Sequence, residues 1–343
     1  MLSENKFALY FLCIAFLVAF SVVLLGAYTR LKDAGLGCPD WPACYGKFTL
    51  PNHTQQISHG PFIGKTLNPK KAWPEMIHRY AAASLVILSF AATVLIIYQY
   101  RLPQQPVKIA VLLLFLLFFQ GLLGKWTVTL QLNPLIVMSH LLGGLALLSL
   151  LWILICRLAR LFSKPASNFH KTLKSWATFG LVLLIIQICL GGWTSANYAA
   201  FVCPDFPTCQ NRWWPAMSFH EGFHLHWNTA VNYEGGILSP TARTAIQMSH
   251  RIMAVITSLY LGLLIYKIVN ISNTHFMRRI AFLLALLLVM QISLGALNVV
   301  WMLPLPIAMA HNAIAALLLL TLITLNISLN EVTWWEQVQN YNK

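Results

Sequence analysis

Glu75, His78 and Arg79 stand in the segment Trp73-Pro74-Glu75-Met76-Ile77-His78-Arg79, directly ahead of an apolar run that reaches Tyr98. At i, i+3 on a helix the carboxylate and the imidazole share a face. Ionisable groups at the mouth of a membrane helix are costly, so they read as functional. A carboxylate there can take a proton or stabilise positive charge developing on a bound molecule. Gln247-Met248-Ser249-His250-Arg251 repeats part of the segment, again opening an apolar run, but with Gln247 in the place of Glu75. His140 and His311 likewise sit near the start of apolar runs.

These residues need elements to hold them. The chain has 343 residues, 58% hydrophobic and only 9% charged, with a mean hydropathy of +0.67. A soluble protein carries about a quarter charged residues, so this is the composition of an integral membrane protein. The formal net charge of +14 does not mark a nucleic-acid binder, whose Lys and Arg would gather on a soluble face. Here they fall between apolar runs, where they set topology and meet membrane lipid. Runs near the ~20 residues that cross a bilayer lie at 7–28, 77–99, 107–126, 135–156, 175–194, 246–268, 279–302 and 307–329, which gives eight spans. No small-residue cleavage motif follows the first, so it reads as an uncleaved helix.

The short links carry Arg101 and Lys108, then Arg157, Arg160, Lys164, Lys171 and Lys174, then Arg278 and Arg279, with no Asp or Glu. By the positive-inside rule these links and both termini are cytoplasmic, and the long links at about 30–74 and 195–244, with their cysteines, face outward. The expected location is the cytoplasmic (inner) membrane, multi-pass. Runs of this length exclude barrel strands, so the fold class is all-α. An internal repeat then appears. Cys38-Pro39-Asp40-Trp41-Pro42-Ala43-Cys44 matches Cys203-Pro204-Asp205-Phe206-Pro207-Thr208-Cys209, His78-Arg79 matches His250-Arg251, Gln120 with Gly124 matches Gln291 with Gly295, and His140 matches His311, in one order at offsets of 165 to 172 residues. The expected architecture is two pseudo-symmetric four-helix bundles in parallel orientation, residues 1–165 and 166–343.

Of seven cysteines, Cys13, Cys156 and Cys189 lie in apolar runs and read as small buried hydrophobes. Cys38 with Cys44, and Cys203 with Cys209, lie in the outward loops. An oxidising exterior allows disulfides there, and zinc is the rival ligand of all four, though zinc sites usually space cysteines more tightly. Among eleven histidines, His53, His59, His170 and His275 fall in loops or helix flanks and read as solvated. His220, His224 and His226, beside Glu221, could take up copper or zinc.

His78, His140, His250 and His311 differ. Each enters its span from the same side, so at ~1.5 Å rise per residue the four imidazoles lie at similar depth. Each bundle then has two histidines on two helices, an arrangement that grips a flat macrocycle from both faces. Imidazole is a good axial donor to haem iron, and helix bundles build such sites from facing helices. A histidine that bonds a neighbouring helix is the plainer alternative, but it need not recur in matched pairs. Arg79 and Arg251 could bind haem propionates or snorkel to headgroups. Between Glu75 and Asp205 there is no other acidic residue. Glu75 therefore makes the first unit the candidate reaction site, unless it only favours its helix N-terminus.

In Gly26-Ala27-Tyr28-Thr29-Arg30, Gly37-Cys38-Pro39-Asp40-Trp41-Pro42, Glu75 with His78-Arg79, Gln120-Gly121-x2-Gly124, His140, Cys203-Pro204-Asp205, His250-Arg251 and His311, the chain resembles the haem A synthase family over nearly its whole length. It resembles bacterial members that carry both loop cysteine pairs. The resemblance implies an oxidoreductase that converts the C8 methyl group of haem O to the formyl group of haem A, by two hydroxylations and loss of water. It further implies that His250 and His311 ligate a haem b cofactor, that His78 and His140 flank the substrate haem O, and that Glu75 takes part in the oxidation. The loop cysteines would then be disulfides, linked in some members to thiol–disulfide exchange. The implied partners are the haem O synthase that supplies substrate and the haem-copper terminal oxidase that receives product, with an electron donor these residues do not name and room for a homo-oligomer. The motif does not include His220 to His226. A dihaem membrane cytochrome b passing electrons from quinol would use the same histidines but gives no reason for Glu75 to break the repeat. A haem chaperone or transporter would bind without conversion.

Overall fold

The computed structural model describes residues 5–49, 55–56, 62–64, 66–100, 105–159, 170–225, 228, 231–271 and 274–330. The long helices are α1 (Asn5–Leu31), α2 (Pro69–Tyr100), α3 (Gln105–Thr129), α4 (Pro134–Leu158), α5 (His170–Ala196), α7 (Pro240–Ile271), α8 (His275–Val300) and α9 (Leu305–Asn330); α6 (Phe219–Gly222) is a short helix in the second long loop. Among the described residues, eight helices are long and apolar enough to cross a membrane, and the chain is a multi-pass, all-helical membrane protein. Outside the helices, Gln55–Gln56 pairs antiparallel with Thr66–Leu67.

α2 and α7 are longer than their apolar runs, at 32 residues each. Each starts on a proline, which suits the first helical position because the missing N–H has no partner there anyway. Glu75 and Gln247 therefore lie inside helices, two turns in, rather than at their mouths. The apolar runs begin later because Lys70, Lys71, Arg243 and Thr244 in these first turns are polar.

The helices pack in a ring α1–α2–α3–α4, and again in a ring α5–α7–α8–α9, with α4 against α5 and α9, and α1 against α9, joining them. α9 and α4 are the most buried of the spans. Their leucines, among them Leu148, Leu151, Leu154, Leu318, Leu322 and Leu325, share one apolar core, and Trp152 Nε1 donates to Thr324 Oγ1 at 2.8 Å across it. On the loop side, Lys71 pairs with Glu234 at 2.7 Å, the Arg30 guanidinium lies 3.8 Å from the Tyr198 ring centre and donates to the Ser195 carbonyl, and the Tyr233 N–H donates to the Gln131 carbonyl at 3.0 Å. Backbone conformation repeats too. Gln131 and Leu132 after α3, like Met302 and Leu303 after α8, have φ of 49°, 62°, 55° and 60°, left-handed values that turn the chain sharply into the next helix. The boundary at 165 lies outside the described residues, as do Arg101, Arg160, Lys164, His53 and His59.

Cys38–Cys44 and Cys203–Cys209 are both disulfides, which sets zinc aside. Each closes a small knot around an aspartate. Asp40 accepts from the Tyr45 and Gly46 N–H groups at 2.6 and 2.9 Å, and Asp205 accepts from those of Gln210 and Asn211 at 2.6 and 3.0 Å and from Thr208 Oγ1 at 2.5 Å. Of the remaining cysteines Cys156 is buried, but Cys13 is exposed and Cys189 half-buried. Apolar sequence cannot distinguish a core-facing from a lipid-facing position, which is why the expectation of burial fails at Cys13.

The second loop is held by two carboxylates titrating below their usual range. Asp205 is held down first by the Thr208 hydroxyl, and Glu221 by the Ser239 hydroxyl, which donates to it at 2.6 Å, and the Ser239 N–H at 2.8 Å. Depressed folded-state values mean that the stabilisation is complete above the ordinary carboxylate range, about pH 4, and is lost as pH falls through the lower folded values. Limited proteolysis of detergent-solubilised protein is therefore expected to leave residues 197–225 uncut at neutral pH and to cut them increasingly below about pH 4. A rate flat through that window would contradict this account.

Candidate functional site

The packing rings decide what the four histidines can reach. His78 on α2 and His140 on α4 stand on diagonally opposite helices of the first ring, and His250 on α7 and His311 on α9 on those of the second. The other diagonal of each ring supplies glycines. A Cβ added at Gly26, Gly124, Gly191 or Gly295 would lie 3.2, 3.5, 3.1 or 3.2 Å from Cε1 of His78, His140, His250 or His311 respectively. Each imidazole thus brings its Cε1 close to a neighbouring helix at a glycine, and at Gly26, Gly191 and Gly295 an added methyl would push the ring aside by a few tenths of an ångström. Gly191 was not among the residues that sequence reasoning singled out. The signal was present, since Gln187-x3-Gly191 has the spacing of Gln120-x3-Gly124 and Gln291-x3-Gly295.

All four histidines line one cavity of about 1710 Å³ that spans both rings, well above the ~300–1,000 Å³ of a site for one small ligand. Its walls are mainly apolar, with Val22, Leu117, Leu145, Leu184, Leu261 and Leu288 among them. Polar atoms along these walls are buried without hydrogen-bond partners, including Nδ1 of His78, His140 and His311, Oε1 of Gln187 and Gln291, and Arg251 Nε. Orphaned polar groups are rare in a native interior and call for a partner.

These features fit haem. The ring centres of His78 and His140 are 6.3 Å apart at 79°. Two imidazole nitrogens about 2 Å from a shared metal put the ring centres apart by that span plus two ring radii, and the observed separation matches. His250 and His311 offer the same donors in the second ring, and an apolar cavity suits a macrocycle.

Glu75 also lines the cavity and is only 5% exposed. Its Oε1 pairs with Arg79 Nη2 at 2.5 Å, and its Oε2 accepts the Cys38 N–H at 2.9 Å. The first disulfide knot thus holds the carboxylate directly. Arg79 is the other clasp, since its Nη1 donates to the carbonyls of Asp40, Pro42 and Ala43 at 2.9, 3.1 and 2.6 Å. In the second ring Arg251 Nη1 donates to the carbonyls of Asp205 and Thr208 at 2.9 and 2.6 Å and its Nη2 to that of Cys203 at 3.0 Å, but Gln247 stands where Glu75 would be and its Oε1 has no partner. Sequence reasoning paired these arginines with propionates or headgroups and missed the loop carbonyls. Both arginines line the cavity, and the unpartnered Arg251 Nε leaves a donor for an anionic group.

Gly37 explains how the knot approaches α2 so closely. A Cβ there would lie 2.4 Å from the Lys71 carbonyl oxygen and 2.5 Å from its carbon, backbone that cannot turn aside. Gly37→Ala is expected to destabilise the protein by the ~1–3 kcal/mol typical of overpacking, read as a lowered Tm in detergent, and to draw the Cys38 N–H off Glu75. An unchanged Tm would contradict this.

The histidines of the second loop do not assemble a further site in the described residues. His220 and His224 have ring centres 6.2 Å apart, but Glu221 turns to Ser239, His226 lies outside the described residues, and no group of three or more metal-ligating side chains forms among those described. Proximity in sequence had suggested copper or zinc; the carboxylate instead ties α6 to the start of α7.

The family of cytochrome oxidase assembly proteins matches this chain over residues 9–323. The chain is 44% identical over 307 residues to a haem A synthase of Shewanella oneidensis, covering 89% of this chain and 91% of that protein. It is 26% identical over 341 residues to one from a Caulobacter species, covering 92% and 94%, and 23% identical over 342 residues to one from Flavobacterium johnsoniae, covering 93% and 96%.

Proposed function

The chain belongs to the haem A synthase family of cytochrome oxidase assembly proteins, and from this premise we propose that it is the oxidoreductase that oxidises the C8 methyl group of haem O to the formyl group of haem A. The observation that carries the reading is one apolar cavity with two facing histidine pairs, of which only the first has a carboxylate beside it. His78 and His140 hold the substrate haem. His250 and His311 hold haem b, which when bound supplies electron transfer.

The chain's own groups do the positioning. Glu75 accepts a proton at its carboxylate or stabilises positive charge developing near the methyl group. Arg79 and the Cys38 N–H fix that carboxylate in place, so no reorganisation is needed as charge forms. Apolar walls keep water from the substrate edge. Arg251, whose Nε has no partner, would meet a haem propionate in the second ring, and Arg79, which also lines the cavity, would stand beside one in the first. The asymmetry between Glu75 and Gln247 favours this over an electron-passing dihaem cytochrome, which needs no such carboxylate. Substrate comes from a haem O synthase and product goes to a haem-copper oxidase. Both disulfide knots face outward, with the termini in the cytoplasm.

Haem extraction tests the reading. Purified protein is expected to yield haem O or haem A beside haem b. Two equivalents of haem b alone would favour the cytochrome.

A further inference from the structure

Four residues before each histidine-bearing glycine contact, one helical turn away on the same face, stand Val22, Gln120, Gln187 and Gln291. Three are glutamines, and only two of these reach a ring. Gln187 Nε2 lies 3.1 Å from His250 Nδ1 and 3.2 Å from the His250 carbonyl. Gln291 Nε2 lies 3.2 Å from His311 Nε2. In the first ring no side-chain amide reaches either histidine, and the Val22 backbone is what meets His78. Gln120 points to Gly143, its Nε2 only 1.8 Å from where a Cβ at that glycine would sit, and that nitrogen has no partner. Val22 has no polar side chain to offer.

Which amide end faces a ring depends on what the ring presents. An imidazole that gives one nitrogen to a metal carries its proton on the other and becomes a donor there. Gln187 and Gln291 each keep an amide oxygen, Oε1, buried without a partner, so a half-turn of the amide offers the acceptor such a ring requires. At His311 the amide meets Nε2, and Nδ1, buried and unpartnered, is the nitrogen left free for a metal.

We propose that Gln187 and Gln291 are positioning residues that lock His250 and His311 as ligands, making the second ring a retentive haem site, whereas no side-chain amide holds His78 or His140 and the first ring exchanges its haem. The inference rests on the assignment of His250 and His311 as haem b ligands. It gives a physical basis for two similar histidine pairs serving different ends: a cofactor must stay, whereas a substrate must enter and its product must leave.

The test uses the full-length protein with its haem b in detergent, and reads midpoint potential and the rate of haem loss to an apo-globin trap. In Gln187→Leu and Gln291→Leu, haem b is expected to leave about 10–100-fold more readily, the usual effect of removing a ligand's outer partner, and the midpoint potential to rise because the imidazole loses basicity. Gln187→Glu keeps an acceptor oxygen at the same reach. It is expected to retain haem b and to lower the potential, and it tests the contact even if a leucine variant folds poorly. Unchanged potential and loss rate in the leucine variants, or an unchanged potential in Gln187→Glu, would overturn the proposal. His250→Ala separates the two levels. If it keeps an unaltered haem b spectrum, the ligand assignment itself has failed; if it loses haem b while the glutamine variants behave as wild type, only the positioning role has failed.

Discussion

Glu75→Gln is expected to lower haem A formation by roughly 10²-fold or more, the scale on which a positioned acid–base group acts, in a host that supplies haem O, while haem b content stays at the wild-type level. The substitution keeps the shape and one acceptor oxygen for the Cys38 N–H, and removes the charge and the ability to hold a proton. It also breaks a pair with Arg79 whose side chains are 7% and 12% exposed. Removing one partner of a buried pair costs about 3–5 kcal/mol when the other charge is left alone. Here Arg79 keeps three loop carbonyls, and Arg251 stands beside Gln247 in the second ring with only carbonyl partners, so the fold has already accommodated this arrangement. Haem b content and Tm report whether the protein is intact. Undiminished haem A formation in an intact variant would remove Glu75 from the reaction.

The second large effect divides the four histidines. His250→Ala and His311→Ala are expected to lose bound haem b, by at least the ~10–100-fold in affinity that loss of an outer partner alone costs, because the iron ligand itself is gone. His78→Ala and His140→Ala are expected to keep haem b and its spectrum while haem O or haem A disappears from the extract. The two rings share one cavity, so the haem types extracted from each variant, quantified against protein, decide the assignment. Loss of the same haem from all four variants would mean that the pairs are not separate sites, and retention of haem b in His250→Ala would move the cofactor elsewhere.

These two experiments bear on residues that differ in how legible they were. The histidines stand out in the sequence because they recur in matched pairs at near-constant offset, which a packing histidine need not do. Glu75 was visible as the place where the repeat fails. Gln187 and Gly191 were not found, although their spacing matched two other segments, because a glycine and a glutamine within an apolar helix carry no signal until a ring is seen against them. The starts of α2 and α7 were also missed, since a hydropathy window ends where the hydrocarbon does and a helix need not.

The sequence by itself determined the all-helical membrane class and the eight spans, which follow from local composition, and the repeat, the four histidines and the carboxylate at 75 that the repeat does not match, which follow from comparing the two halves of the chain. Only the tertiary structure decided what those side chains meet. The ring order places His78 opposite His140. The first disulfide knot offers the Cys38 N–H to Glu75 and its carbonyls to Arg79, and α5 and α8 bring Gln187 and Gln291 to two of the four imidazoles. The physical reason is that hydrogen-bond partners 20 to more than 60 residues apart are chosen by helix packing and loop closure. Helix periodicity and hydropathy report only which face of each helix is apolar.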